Sequence, residues 1–258
     1  MKTISISIDV EPDMYTEKYY GITQGIPKLI KILDKRKIKA TFFITCDCLQ
    51  KYPQIFQNLK KQGHEIALHS FTHKNFLTLN KKQKQKQIKK SISSFQKYLK
   101  QKPEGFRAPQ HSIDNQTLDI LEKNNFVYDS SFSPWNLYHM LFPNKIKINY
   151  KDNLTSKKIR KIRKNLYEVP IGTVGLPISA LSLRALPYLL LKPFINSIKL
   201  TKNPVLMMHS WDLIEIPQSK LYKKCPLSCF LKRFEMFLDS FPKEKYKTIE
   251  KLIPPIQT

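Results

Sequence analysis

The chain has 258 residues, 41% of them hydrophobic and 25% charged, enough for a sizeable core and short enough for one domain. Lysine and arginine number 45 against 20 aspartates and glutamates, a formal net charge of +25. Such a surplus suits an anionic partner. The lysines are scattered, however, and no zinc-finger, helix-turn-helix or RNA-binding signature accompanies them, so no nucleic-acid partner is expected.

Residues 3–9 (TISISID) alternate isoleucine with serine, the two-residue period of a strand. No apolar leader precedes them, so no signal peptide is expected; the expected location is the cytoplasm, with the inner membrane surface as an alternative. Residues 26–33 have helical spacing, 40–45 (ATFFIT) form a second strand, 53–61 a helix stopped by Gly63, and 65–69 (EIALH) a third strand. A long helix spans 80–100, and its run KKQKQKQIKK reads as a solvated face. A short fourth strand at 105–108 is followed by a helix at 117–123, with Asp114 or Asn115 as N-cap, and a fifth strand at 126–129.

Residues 133–164, rich in lysine and asparagine, read as a surface excursion. A sixth strand covers 166–171, a seventh 204–209, and a last helix 230–241. The longest apolar stretch, 176–198, is broken by Arg184, Pro187, Lys192 and Pro193. It falls short of a membrane span and predicts a buried amphipathic helix pair, with membrane-surface contact as the alternative. The cysteines, Cys46-x-Cys48 and Cys225-x-x-x-Cys229, are expected to be reduced thiols.

Strands alternating with helices imply a parallel sheet. About seven of them in one domain over 1–258 predict an α/β fold, a distorted (β/α) barrel that closes on itself. In such a barrel the C-terminal strand ends share one mouth. Asp9, His69, Arg107, Asp129 and His209 each end a different predicted strand. His69 and His73 (HSFTH) have a spacing able to grip one metal ion, and Asp9, Glu11 and Asp13 (DVEPD) are candidate carboxylate suppliers. Each has a bland alternative: a solvated turn around Pro12, with Asp13 capping the next segment; a surface charge for Arg107; a satisfied core histidine for His209. A cation at Arg107 would hold a neighbouring carboxylate ionised, and His209 would serve as general acid to a departing amine. His64 and His139 show no partners in the sequence; His111, just after Pro109, is ranked as a bystander, with a place lining the rim as its alternative.

The segments SIDVEPD, HEIALHSFTH, GFRAPQ, YDSSFSP and VLMMHSWD, in that order, resemble the polysaccharide deacetylase (NodB-homology, carbohydrate esterase family 4-like) family. The likeness is strongest to the branch with a D-V-E first motif. The resemblance implies metal-dependent hydrolysis of an N-acetyl group from an amino sugar. It implies Asp9 as general base, His69 and His73 as ligands of one divalent ion, zinc being expected, and Arg107 bracing the base. It further implies the Gln110 N–H at the oxyanion, Leu206 lining the acetyl pocket, and His209 as general acid. Asp129 and Trp211, in the fourth and fifth segments, are carried with these as substrate-site residues.

Two departures matter. The usual second aspartate is Val10, so Glu11 is the substitute metal carboxylate, and the chain past Asp9 is expected to bend to bring it in. Gln110 stands where many relatives have an aromatic residue. The implied substrate is an N-acetylated glycan or a lipid-linked sugar, with peripheral membrane contact an open possibility. The alternatives are a hydrolase of cyclic ureides and a basic binding protein without catalysis.

Overall fold

The computed structural model describes residues 3–16, 18–134 and 157–254. In chain order, β1 (Ser5–Val10) leads through α1 (Ile26–Lys35) to β2 (Thr41–Ile44), and α2 (Cys46–Lys51) and α3 (Pro53–Lys61) lead to β3 (Glu65–Leu68). The helix α4 (Lys81–Leu99) precedes β4 (Gly105–Phe106), and α5 (Asn115–Lys123) precedes β5 (Tyr128–Asp129). Strands β6 (Arg160–Lys161) and β7 (Tyr167–Glu168) are followed by the small hairpin β8 (Thr173–Val174) and β9 (Leu176–Pro177). The chain ends through α6 (Ala180–Ala185), α7 (Tyr188–Leu200), β10 (Val205–His209), α8 (Lys220–Lys224) and α9 (Leu227–Asp239).

The main sheet runs β10-β1-β2-β3-β4-β5-β7-β6. Its seven expected strands are all parallel; β6 alone is antiparallel, at the edge. The expected distorted (β/α) barrel is what the chain forms; only its expected closure is corrected, since β10 and β7 do not pair and the sheet is a curled, part-open barrel. The chain after β7 bridges the gap. Gly172 N–H donates to Val205 O at 2.9 Å, and Met207 N–H to Ile178 O at 3.0 Å. A Cβ on Gly172 would meet Val205 O at 2.9 Å and Ile178 Cδ1 at 2.6 Å, so this approach of two backbones requires glycine. Most of the excursion expected over 133–164 lies outside the described residues.

Strand alternation sorts the side chains into two layers. Ile4, Ile6, Ile8, Val10, Phe42, Ile44, Leu68, Phe106, Leu206 and Met208 face the helices in one large cluster. There they meet Phe56, Phe95 and Phe230, each burial contributing about 1.5–3 kcal/mol. The opposite face lines the interior with Phe43, Ala67, Tyr128, Val169 and Val205. Below this layer the C-terminal stretch plugs the floor. Ile249 joins the interior cluster, and its N–H donates to Thr41 Oγ1 at 2.9 Å.

Helix starts follow the expected chemistry. Asn80 and Gln83 form a capping box on α4, and Asp114 accepts from Thr117 N–H at 2.8 Å on α5. Lys84 departs from the solvated face expected of its run: it is buried and paired with Asp114. All four cysteines are free thiols. No helix among the described residues is long and apolar enough to cross a membrane.

Candidate active site

The interior column ends at the mouth in a set of charged groups. Asp9 and His209 are register partners on adjacent strands and face the same side. Arg107, wholly buried, follows β4 and spans the mouth beneath them. Its Nη1 donates to Asp9 Oδ1 at 2.7 Å and Ser7 Oγ at 3.0 Å, its Nε to Ser130 O at 2.9 Å, and its Nη2 to Ser130 Oγ at 2.9 Å. The guanidinium carbon sits 4.0 Å from the centre of the Phe43 ring, a cation–π contact in a water-excluded place. Burial alone would raise the Asp9 carboxyl, but Arg107 and then His69 and His209 hold it below the ordinary carboxylate range. Asp9 is therefore kept ionised and fixed in orientation.

Glu11 lies beside Asp9, and here the expected bend is corrected. Strand β1 runs on through Val10, so Asp9 and Glu11, two residues apart, point to the same face without one. Glu11 Oε2 lies 3.5 Å from His69 Nε2 and in contact with His73 Nε2. The three donor atoms are within 4.8 Å of one another. His69 Nδ1 lies 2.7 Å from the carbonyl of Arg107, which fixes the proton on Nδ1 and leaves the Nε2 lone pair free. Glu11 Oε2 is buried and without a hydrogen-bond partner among the described residues. An orphaned carboxylate oxygen facing two imidazole lone pairs fits a divalent cation with one carboxylate and two histidine ligands. Asp13, also a candidate supplier, turns away: its carboxylate accepts from Tyr20 N–H at 2.6 Å and Gly21 N–H at 2.9 Å, the capping alternative.

His209 approaches Glu11 from the other side, its Nε2 3.9 Å from Oε1. Its ring stacks on Trp211 at 4.2 Å with a 7° interplanar angle. Its Nδ1 is 3.8 Å from Asp212 Oδ2, and its own N–H donates to that oxygen at 2.8 Å. Tyr222 O–H bonds the other Asp212 oxygen, and Arg184 Nη2 donates to the Asp212 carbonyl at 2.8 Å. Burial works against a charged ring, but Asp212, then Glu11 and Asp9, raise the His209 imidazole above its ordinary value and favour the imidazolium.

Next to His209 opens a cavity of about 450 Å³, lined by Gln110, His111, Met207 and Trp211 among others. Gln110 and His111 share left-handed backbone (φ 53° and 55°), a tight turn that sets both at the cavity edge. The Gln110 side chain is held by Asn75 Nδ2 at 2.9 Å.

The structure brings Asp9, Glu11, His69, His73, Arg107, His209 and Trp211 together and corrects two others. Asp129 is paired in register with Glu168 and bonded to Ser131 N–H and Oγ at 3.1 and 2.7 Å, wholly buried on the face opposite Arg107. Its inward neighbour, Ser130, is the one that touches the site. Leu206 likewise faces the helix layer, and Met207, one residue on, reaches the cavity. A one-residue step changes the face of a strand residue, and position at a strand end does not reveal the face. His111, read as a bystander, lines the cavity; burial lowers its imidazole to about 4, so it is neutral there. Asp212 and Tyr222 were also missed. The late aspartate of HSWD, three residues after His209, was the available signal.

The profile of the polysaccharide deacetylase family matches residues 1–128. Over 121 residues the chain is 36% identical to "Peptidoglycan deacetylase-like protein FGM2" of Gibberella zeae, covering 46% of this chain and 36% of that protein. It is 27% identical over 169 residues to a peptidoglycan deacetylase of Helicobacter pylori, covering 62% and 56%. The chain thus spans about half or less of the length of these curated relatives. Among solved structures, a peptidoglycan N-acetylglucosamine deacetylase superposes with a TM-score of 0.58 at 16% identity, covering 97% of this chain and 87% of that one. A family 4 carbohydrate esterase from Streptomyces lividans, solved with acetate, gives 0.55 at 13%, covering 92% and 88%. At such identities these two likenesses bear on the fold alone. The likeness to the polysaccharide deacetylase family thus rests on residues 1–128, the part of the chain that carries Asp9, Glu11, His69, His73 and Arg107.

Proposed function

We propose that this chain hydrolyses the N-acetyl group of an amino sugar in a glycan or lipid-linked sugar, releasing acetate and a free amine. The observation that carries the reading is the convergence of Glu11, His69 and His73 on one point, with the Asp9–Arg107 pair on one side and His209 on the other. Glu11, His69 and His73 would hold a divalent cation, for which this donor set suits zinc. When bound, that ion supplies Lewis-acid polarisation of the acetyl carbonyl and of a water molecule. Asp9, ionised and oriented by Arg107, takes the proton of the attacking water. His209, charged through Asp212, gives a proton to the nitrogen as the C–N bond breaks. The Gln110 N–H, at the edge of the cavity, is the candidate donor to the developing oxyanion. Met207 and Trp211 form the apolar wall for the acetyl methyl.

The test combines acetate release from a panel of soluble N-acetylated oligosaccharides with zinc titration of apo protein. Wild type is expected to bind one ion per chain and to release acetate. Glu11→Gln is expected to bind zinc much more weakly, since an amide oxygen is a poorer ligand than a carboxylate. Asp9→Asn is expected to bind it nearly as wild type does but turn over ~10²–10⁴-fold more slowly. Loss of zinc in Asp9→Asn with retention in Glu11→Gln would reverse the two roles. Absence of stoichiometric zinc from wild type would sink the reading.

A further inference from the structure

The two-helix turn beyond the hairpin carries surface that the chemistry does not use. Leu181 on α6 and Tyr188, Leu189 and Leu190 at the start of α7 are exposed, Leu189 at 86% and Tyr188 at 71%. The stretch 180–191 holds one charged residue, Arg184, and that one is buried. Only the other stripe of α7 is covered: Leu191, Phe194, Ile195 and Ile198 pack inward. The exposed leucines are not on a loose loop. Arg233 Nη1 donates to the carbonyls of Leu183, Arg184 and Leu186 at 2.8, 3.1 and 2.7 Å, fixing the turn between the helices. A rigid apolar patch on a water-soluble surface marks a contact.

Charge says with what. No acidic residue occurs between Glu168 and Asp212, while Lys192, Lys199 and Lys202 follow the apolar run. Exposed Lys220, Lys223 and Lys224 lie on α8, which is tied to α6: Arg184 bonds the Cys225 carbonyl and stacks on Tyr222 at 4.1 Å. An apolar surface rimmed by lysines is the pattern of a segment lying in the headgroup region of a bilayer with anionic lipids. The patch is also continuous with the site. Leu181 is half exposed and lines the same cavity as His209 and Met207, and Leu221 of α8 lines it too.

We propose that this chain docks on the anionic surface of a lipid bilayer through the end of α6 and the start of α7, with the lysines of α7 and α8 at the headgroups. The bilayer then meets the mouth of the cavity, which suits an acetylated sugar carried on a lipid. This consequence for the substrate rests on the deacetylase reading; the docking does not.

The experiment is co-sedimentation of the full chain with phosphatidylglycerol-containing vesicles and with pure phosphatidylcholine vesicles. Wild type is expected to pellet with the former, and more weakly as salt rises. Leu189→Glu/Leu190→Glu is expected to lose about tenfold or more in partitioning, because two leucines no longer leave water. Lys220→Glu/Lys223→Glu/Lys224→Glu is expected to lose the preference for phosphatidylglycerol. Wild type left in the supernatant, or a leucine variant that pellets like wild type, overturns the proposal. So does a wild-type dimer, without vesicle binding, that the leucine variant converts to monomer, since a second copy then covers the patch. Acetate release from a soluble substrate is measured alongside and is expected to be equal in wild type and the leucine variant. If neither releases acetate while vesicle binding behaves as stated, the deacetylase reading fails and the docking stands.

Discussion

The two ends of the barrel interior bury carboxyl groups in opposite ways. At the mouth, Asp9 has a guanidinium at 2.7 Å and imidazoles around it, and its carboxyl is held down. At the floor, Glu65 is equally buried but has only neutral donors: Tyr128 O–H at 2.5 Å, Thr41 Oγ1 at 2.7 Å and Glu250 N–H at 3.1 Å. Burial and then the Glu250 carboxylate push it up to about 7. The strand that carries Glu65 at its start delivers His69 just past its end. One end therefore keeps charge ready for chemistry and the other disposes of it. This matches the division of (β/α) barrels into a reactive C-terminal face and a stabilising N-terminal face.

The largest way to break this contrast is to remove a proton carrier at the mouth. His209→Ala is expected to keep full zinc binding, because Glu11, His69 and His73 are untouched, and to lose ~10²–10⁴ in kcat as the general acid is removed. Its thermal stability should change little, since the ring is partly exposed at the cavity. Turnover within a factor of a few of wild type would make His209 a packing residue against Trp211.

A smaller effect separates the two faces of one strand. Leu206→Ala is expected to cost about 2–5 kcal/mol of stability, the range for a fully buried leucine, without altering KM. Met207→Ala is expected to do the reverse, raising KM for an acetylated sugar at nearly unchanged stability. Denaturant melts and steady-state kinetics on both variants decide it, and the opposite pattern would restore Leu206 to the acetyl pocket. The pair also marks how far the sequence could be read. Short β-rich runs between helical ones located all seven parallel strands, and reactive residues at their ends located the mouth, because a parallel barrel gathers those ends whatever the loops do. Asp129 and Leu206 failed for one reason: the inward face of a short strand is set by its register with neighbours, and β5 is two residues long. Ser130 and Met207 carry no distinctive chemistry in the sequence, and His111 stands in a loop with no partner beside it in the sequence. Only the fold brings Ser130 to Arg107 and the other two to the cavity. The barrel closure was misjudged because the bridging chain makes isolated hydrogen bonds rather than a strand with its own periodicity.

The smallest effect tests the floor itself. Glu65 is raised in the folded chain from its ordinary 4.5 to about 7, so folding takes up a proton between those values. The stability from neutral Glu65 is complete below 4.5 and is lost as pH rises through about 7. A shift of that size corresponds to at most about 3 kcal/mol. Glu65→Gln cannot titrate, so its stability should fall less between pH 4.5 and 7 than that of wild type. The amide puts an NH2 in place of one carboxyl oxygen, opposite the Tyr128 hydroxyl when its oxygen accepts from Thr41 and Glu250, and this fixed change shifts the whole curve but not its slope. Asp129 and Glu168 are also raised and remain in both proteins, so their share cancels in the difference. Urea melts at a series of pH values give the two curves. Parallel curves would mean that Glu65 is already ionised in the folded protein, and that the floor, like the mouth, holds a charge.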